Sequence, residues 1–436
     1  MIPALNEAVS LDLMLPQLKA TLKSLKATHE IIVVDGGSSD GTQAVVRKHD
    51  VRLVTQLRGG FGGAYQAGFS QARGEFVMTL DADGSHDPAF LNDLWSARDG
   101  GDVVIASRYL PGGAADMPRL RRILSRVLNV TFRRGLSLPV HDLSSGFRLY
   151  RRQVLQAITL TATDFDVLEE ILIRALAAGY RVVEVPFRYR ARVAGRSHAR
   201  LARFAVSYLR TFVAMWRLRN SIASSDYDAR AYDSLIPLQR YWQRRRYVAI
   251  SGLARGFTRV LDVGCGSSRI LGAIPGMIGL DIQLHKLRYA RRYGNPLVQG
   301  SIFELPFGDA SFDCVVCSEV VEHIPAQEKP FDELARVLRT DGRLILGTPD
   351  YDRWQWRALE WLYARLSPGG YADEHITHYS RENLALYLQG KGFAIEEVRY
   401  VGGCEMIFSL RKLAPMASPV TARPVRTALR LQRQAA

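Results

Sequence analysis

The chain has 436 residues, 47% of them hydrophobic and 23% charged. That is enough apolar material for two or three packed cores, which excludes a chain disordered over most of its length. A formal charge of +15, from 58 basic and 43 acidic residues, points to anionic partners, either phosphorylated substrates or an anionic membrane surface. No zinc-finger or RNA-recognition pattern accompanies the charge, so nucleic acid is not the expected partner. Cysteines 265, 314, 317 and 404 are too few for a secreted disulfide framework and fit a reducing cytoplasm.

Apolar runs alternate with helical patterns from the start, as in a mostly parallel sheet covered by helices. The turn Pro3-Ala-Leu5-Asn-Glu7 has little chain before it, so its strand is expected to be very short or to begin upstream. A strand over 31–34 ends at Asp35, and Gly36 to Gly41 turn into a helix over 42–48. Strands are expected over 51–55, 76–80 and 103–106. The run over 76–80 is followed by Asp81-Ala82-Asp83 and Ser85. Two carboxylates at a strand's carboxyl end can clamp a Mg²⁺ or Mn²⁺ ion that retains positions for phosphate oxygens. Asp35, also at a strand end, can accept from a base's ring N–H.

Residues 119–134 alternate apolar positions with Arg121, Arg122, Arg126, Arg133 and Arg134, and 199–219 form a second basic amphipathic stretch. Both are too short or too charged to span a bilayer but suit its surface. The segment 221–236, rich in Ser and Asp, is expected to be a linker. After a basic helix over 237–249 a second alternation begins, with strands over 260–263, 277–281, 312–316 and 344–346 and a helix over 327–339. Cys314 and Cys317 lie in an apolar run and read as core. Asp262-Val-Gly264-Cys-Gly266 permits close backbone approach by an adenosine-type cofactor, with Asp281 placed to take ribose hydroxyls. A NAD site would need a third glycine at 269, where Arg stands. His323, His375 and His378 are candidate bases; the last two also have the H-x-x-H spacing of metal ligands. The stretch 411–436, with six basic and no acidic residues, is expected to be a flexible tail.

Pro3-Ala-Leu-Asn-Glu7, Val34-Asp35-Gly-Gly-Ser-Ser-Asp40-Gly-Thr, Asp81-Ala-Asp-Gly-Ser-His86, Ser107-Arg108-Tyr109, Ser145-Gly-Phe-Arg148, Glu184-Val-Pro186 and Arg192-Val-Ala-Gly-Arg-Ser197 together resemble family 2 glycosyltransferases of the GT-A fold, in the dolichyl- or polyprenyl-phosphate mannosyltransferase branch. The resemblance implies inverting transfer from a nucleotide-sugar donor to a polyprenyl-phosphate or glycan acceptor. Pro3, Leu5, Glu7, Asp35, Ala82 and Arg108 would then serve the donor, and Asp81, Asp83 and Ser85 the metal. Arg148, Arg192 and His198 would meet phosphate, with Asp81, Asp83 and Arg148 catalytic. Gly36 stands where the branch has a second Asp, and His198 where it has Lys.

Leu261-Asp262-Val-Gly264-Cys-Gly266, Gly300-Ser301-Ile302 and Glu319-Val-Val-Glu322-His323 resemble class I S-adenosylmethionine (SAM)-dependent methyltransferases. That implies cofactor contacts from Asp262, Gly264, Gly266, Asp281, Ser301, Ile302 and Glu319, Ser301 replacing a frequent Asp. The expected fold class is α/β with two Rossmann-like domains: a GT-A domain over 1–220, a linker over 221–236, a methyltransferase domain over 237–410 and the tail. The expected function is bifunctional and cytoplasmic, with peripheral contact at the inner face of the cytoplasmic membrane. The alternative is an active methyltransferase whose first domain only binds nucleotide sugar or lipid phosphate.

Overall fold

A computed structural model describes residues 1–191, 201–366 and 375–414; Arg192, His198 and the expected tail beyond 414 lie outside them. Three short strands open the chain: β1 (Ile2–Ala4), β2 (Ile32–Asp35) and β3 (Arg52–Thr55), parallel and in that spatial order. The opening strand is thus three residues long. Six more follow: β4 (Phe76–Thr79), β5 (Val103–Ser107), β6 (Ala114–Ala115), β7 (Arg148–Arg151), β8 (Val182–Pro186) and β9 (Arg188–Tyr189). Four of them pair in the order β4-β7-β5-β8, and β6 pairs with β9.

Met1 stitches the two sets together. Its amine donates to Met78 O (2.8 Å) and its carbonyl accepts from Leu80 N (3.3 Å), laying β4 beside β1. Strand order therefore reverses between β1 and β4, and in open α/β sheets ligands bind in the crevice at such a reversal. β5 is buried on both faces: Val103 and Ile105 enter one core with Tyr65, Tyr150 and Ile171, and Val104 and Ala106 enter another with Leu11, Leu15 and Leu94. This is the two-residue period of a strand covered on both sides. The pairing is mostly parallel, as expected; the exception is β7, which is antiparallel to both β4 and β5. Alternating apolar runs mark where strands lie and carry no information on their direction.

The second half forms one seven-stranded sheet from β10 (Val260–Val263), β11 (Ile278–Asp281), β12 (Leu297–Gln299), β13 (Phe312–Ser318), β14 (Leu338–Pro349), β15 (Phe393–Val401) and β16 (Glu405–Lys412). Its order is β12-β11-β10-β13-β14-β16-β15, parallel except for β16, which runs against both its neighbours. Cys314 and Cys317 are fully buried in β13.

The segment expected to be a linker carries a helix, Tyr227–Tyr232, with Tyr227, Ala229 and Ala231 buried. Just before it, the fully buried Arg219 guanidinium forks onto Asp226 with two 2.7 Å bonds. Burial would drive Arg219 toward neutrality, and the Asp226 carboxylate opposes that. Ser224 and Asp226 of this segment satisfy the buried cation.

Candidate active sites

At the first crevice the turn after β1 and the loop after β2 lock together. Asn6, at φ +56°, donates from its backbone to Ser38 Oγ (2.9 Å) and accepts from Ser39 N (2.8 Å); Glu7 N donates to Thr42 Oγ1 (2.9 Å). Pro3 is buried inside β1, whereas Leu5 is 41% exposed at the mouth. Asp35 ends β2 fully buried and accepts from Gln43 Nε2 (2.7 Å), Gly37 N (3.2 Å) and Ser38 N (3.3 Å). Burial opposes its charge, but these donors outweigh burial and hold the carboxyl below its usual range. Asp35 thus braces its own loop, with Oδ1 the less engaged oxygen.

Asp81-Ala82-Asp83 emerges from β4 on the other side of the reversal. Asp83 is 3% exposed and accepts from Ser85 N (3.0 Å) and from the Ser85 hydroxyl. Ser85 is itself buried and orients Asp83 through these two bonds. Asp81 keeps its side chain 31% exposed, and its backbone N–H donates to His86 Nδ1 (2.9 Å). His86 therefore carries its proton on Nε2, 3.7 Å from Asp81 Oδ2. Burial lowers its pKa, keeping it neutral against the Phe147 ring, which it stacks at 4.8 Å.

Two expected phosphate ligands are placed differently. Arg148 is completely buried and donates to Leu168 O (2.8 Å), Leu143 O and Tyr150 OH (3.2 Å). Because β7 enters the sheet from the crevice end, pairing Arg148 with Thr79, its side chain joins the core, not the crevice surface. Beside it lies Glu169, both of whose carboxylate oxygens lack hydrogen-bond partners; burial pushes this acid up to about 8 against the pull of Arg148. Arg108 lies at the crevice but is held by Asp142 through two 2.7 Å bonds and by Ser144 (2.7 Å). Phosphate at Arg108 would have to compete with that carboxylate.

The second site is a cavity of about 630 Å³. Its floor is the turn after β10, where Gly264 (φ +72°) and Gly266 (φ +54°) adopt a left-handed backbone, and a Cβ on Gly264 would fall 2.3 Å from Val320 Cγ2. Asp281 ends β11 and accepts from Gly266 N and Gln283 N, both at 2.8 Å. Burial raises its pKa despite those donors. Asp262, buried beneath the turn, is pushed up to about 7 by burial and then by the Asp281 charge. Ser301 and Ile302 line the wall, Ser301 Oγ accepting from Phe303 N (3.2 Å). Glu319, at φ +58°, pairs with Arg246 (2.9 Å); burial pushes this carboxyl well up, more than Arg246 lowers it.

Several lining residues carry no local signal in the sequence. Asp228, from the segment expected to be a linker, accepts from Ser267 Oγ (3.0 Å) and Ser267 N (3.3 Å) and lies 3.3 Å from Lys286 Nζ. Arg246 projects from the helix Pro237–Leu253, expected only as a basic helix, and also forks onto Glu405 (2.6 and 2.8 Å). Only the tertiary fold brings them to the glycine turn. At the far end of the cavity stand His323, Glu360 and His375. His375 and His378, despite their H-x-x-H spacing, separate: His378 is exposed and stacks on Tyr351 at 3.9 Å, while His375 turns toward His323 at 4.8 Å.

Residues 1–159 match the family described as Glycosyl transferase family 2. A polyprenol monophosphomannose synthase of Mycolicibacterium smegmatis is 37% identical over 215 residues, covering 45% of this chain and 78% of that protein. The chain belongs to glycosyltransferase family 2. Residues 261–346 match the family described as Methyltransferase domain, so this family 2 glycosyltransferase carries a methyltransferase unit behind its transferase unit. An undecaprenyl-phosphate mannosyltransferase of Micrococcus luteus is 35% identical over 209 residues, 45% of this chain and 84% of that protein. Similar solved structures include a glucosyl-3-phosphoglycerate synthase of Mycobacterium tuberculosis with Mn²⁺, uridine diphosphate and phosphoglyceric acid (22% identity, 50% of this chain and 76% of that one, TM-score 0.40). A SAM-dependent methyltransferase of Thermotoga maritima is another (19%, 42% and 96%, TM-score 0.36).

Proposed function

We propose that the first unit, within residues 1–220, transfers a sugar with inversion from a nucleotide-sugar donor to a polyprenyl phosphate. The second unit, within 237–410, would methylate a glycan, lipid-linked or small acceptor from SAM. The observation that carries the first reading is the placement of Asp35 at the end of β2 and of Asp81-Ala82-Asp83 after β4, on either side of β1 at the strand-order reversal. The donor's base and ribose would lie against Leu5, Glu7 and Asp35. The all-oxygen pair Asp81 and Asp83, one partly exposed and the other held by Ser85, fits Mg²⁺ or Mn²⁺. When bound, that ion stabilises charge on a departing diphosphate. A polyprenyl phosphate is already an anionic nucleophile, so no strong base is required of the chain. Arg192 and His198 are proposed to meet its phosphate.

The cavity at the glycine turn supports the second reading. Asp262 and Glu319 would take the methionine end of SAM, Asp281 the ribose, and Ser301 and Ile302 the adenine. Bound there, SAM supplies an activated methyl group, and the residues around it align the acceptor and exclude water.

Two helices support peripheral membrane contact. On Arg119–Gly135 the residues Leu120, Ile123, Leu124, Val127 and Val130 are 45–67% exposed along one stripe, flanked by arginines; on Leu201–Arg219, Val206, Leu209 and Val213 are 41–64% exposed. A stripe of this kind fits a headgroup boundary at the cytoplasmic face. Among the described residues no helix is long and apolar enough to cross a membrane.

The test is transfer of labelled sugar from a panel of nucleotide sugars to polyprenyl phosphate in vesicles. Metal-dependent product that disappears in Asp83→Ala supports the reading. A first unit that only binds its ligands is the competing view, favoured by the burial of Arg148; it predicts bound nucleotide and no product.

A further inference from the structure

The acceptor end of the cavity holds a side-chain cluster that the donor and cofactor sites do not use. Glu322 lies in the turn Val321–His323 that follows β13, and its carboxylate is fully buried. Oε2 accepts from Thr348 Oγ1 (3.1 Å), and Oε1 has no hydrogen-bond partner. A buried carboxylate oxygen without a donor is uncommon, because burial removes its water and nothing replaces it. Its chain neighbour His323 lines the cavity. His375 arrives from 52 residues further on, fixed by Ile376 N and Thr377 N, which donate to the Glu322 carbonyl (2.9 and 3.0 Å). One ligand-capable atom from each of Glu322, His323 and His375 lies within 4.8 Å of the other two.

The neighbours of His375 fix which nitrogen it offers. The Tyr351 hydroxyl donates to Glu360 Oε1 (3.0 Å), so its oxygen accepts from His375 Nδ1 (2.7 Å). With the proton on Nδ1, the lone pair sits on Nε2. A histidine whose second nitrogen is held by a tyrosine and a carboxylate is oriented as metal-bound imidazoles are. The ring is further fixed against Trp356, which it stacks at 5.9 Å.

We propose that Glu322, His323 and His375 bind a first-row divalent cation at the acceptor end of the cavity, with its remaining positions open to the oxygen of a hydroxyl acceptor. Two imidazoles and one carboxylate suit Mn²⁺, Fe²⁺, Co²⁺ or Zn²⁺ better than Mg²⁺ or Ca²⁺. The site therefore differs in kind from the all-oxygen pair Asp81 and Asp83. An ion there would hold a hydroxyl, one of a sugar diol for instance, facing the cofactor end of the same cavity. This role for the ion rests on the methyl-transfer reading; the binding site itself does not.

Co²⁺ titration of chelator-treated protein, followed by visible absorption, tests the site. Cobalt held by these three side chains in a four- or five-coordinate site absorbs strongly, whereas six-coordinate cobalt, as at an all-oxygen site, is faint. The expected result is a strong band that saturates at one equivalent, persists in Asp83→Ala, falls with added Zn²⁺ and is lost in His375→Ala and in His323→Ala. Retention of cobalt binding and band intensity in both histidine variants would overturn the proposal, as would a wild-type chain that develops no strong band with excess Co²⁺. The wild-type titration decides alone if the variants do not fold. Thermal stabilisation by S-adenosylhomocysteine, measured on the same samples, reports separately on the methyltransferase reading.

Discussion

At Asp83 the account makes its sharpest claim about a single side chain. Ser85 fixes the carboxylate, so Asp83→Ala should remove metal-dependent sugar transfer by at least ~100-fold, a loss of the size seen when one preorganised electrostatic group is removed. The same variant should leave stabilisation by S-adenosylhomocysteine unchanged, because the two sites share no residue. Glu169 gives a prediction in pH. Its folded pKa of about 8 lies above the ordinary carboxyl value of 4.5, so its neutral form favours folding at low pH, and that stability is lost as pH rises from about 4.5 through 8. Glu169→Gln keeps the shape and removes the ionisation. Thermal unfolding between pH 5 and 8.5 should fall with pH in the wild type and flatten in the variant. The same sign reasoning applies to Asp262, raised to about 7: if its carboxylate takes the cofactor's ammonium, affinity for S-adenosylhomocysteine should rise from pH 6 to 8. Isothermal titration across that range checks it, and Asp262→Asn should abolish the dependence. At this scale the sequence was legible where a residue type has one use in one place, as with glycines at a strand end. It misled at Arg148, since a charge reads as surface unless the strand direction that buries it is known.

Among the elements, the Arg119–Gly135 and Leu201–Arg219 helices pack through the ring pair Phe132 and Phe212 at 5.2 Å, and a Cβ on Gly135 would come within 2.6 Å of Phe212. Their inner faces are thereby committed to the core, while the apolar stripe with Leu124 and Val127 faces outward. Replacing both with Asp should sharply reduce co-sedimentation with anionic vesicles and leave thermal stability nearly unchanged, because neither side chain is buried. The end of the second helix behaves oppositely. Asp226→Ala would strand the buried Arg219 guanidinium, and breaking a buried pair from one side costs about 3–5 kcal/mol; denaturant unfolding should register that loss. Most helices and strands were legible because apolar runs bounded by turn residues mark them, the helix Thr42–Lys48 after Gly41 and the strand Val260–Val263 before Gly264 among them. The helix Tyr227–Tyr232 was not, being six residues of polar and aromatic side chains that gain their order from the glycine turn and from Arg219.

Across the whole molecule two ligand sites lie on two separate sheets. Both follow the same rule, an acidic or glycine-rich turn at the carboxyl ends of parallel strands, and that regularity made both visible in sequence. Asp228, Arg246 and the meeting of His323 with His375 were invisible, since each depends on contacts dozens of residues away. The central claim is that one chain holds two independently formed sites for chemically different ligands. A ligand at 100 times its Kd stabilises a fold by about 2.7 kcal/mol, which for a unit of this size raises its unfolding midpoint by roughly 5–10 °C. Thermal unfolding with Mn²⁺ and a panel of nucleoside diphosphates, with S-adenosylhomocysteine, and with both should show a rise from each, the diphosphate rise vanishing in Asp83→Ala and the other persisting. A chain stabilised by only one ligand class, or one whose diphosphate response survives Asp83→Ala, would contradict the account.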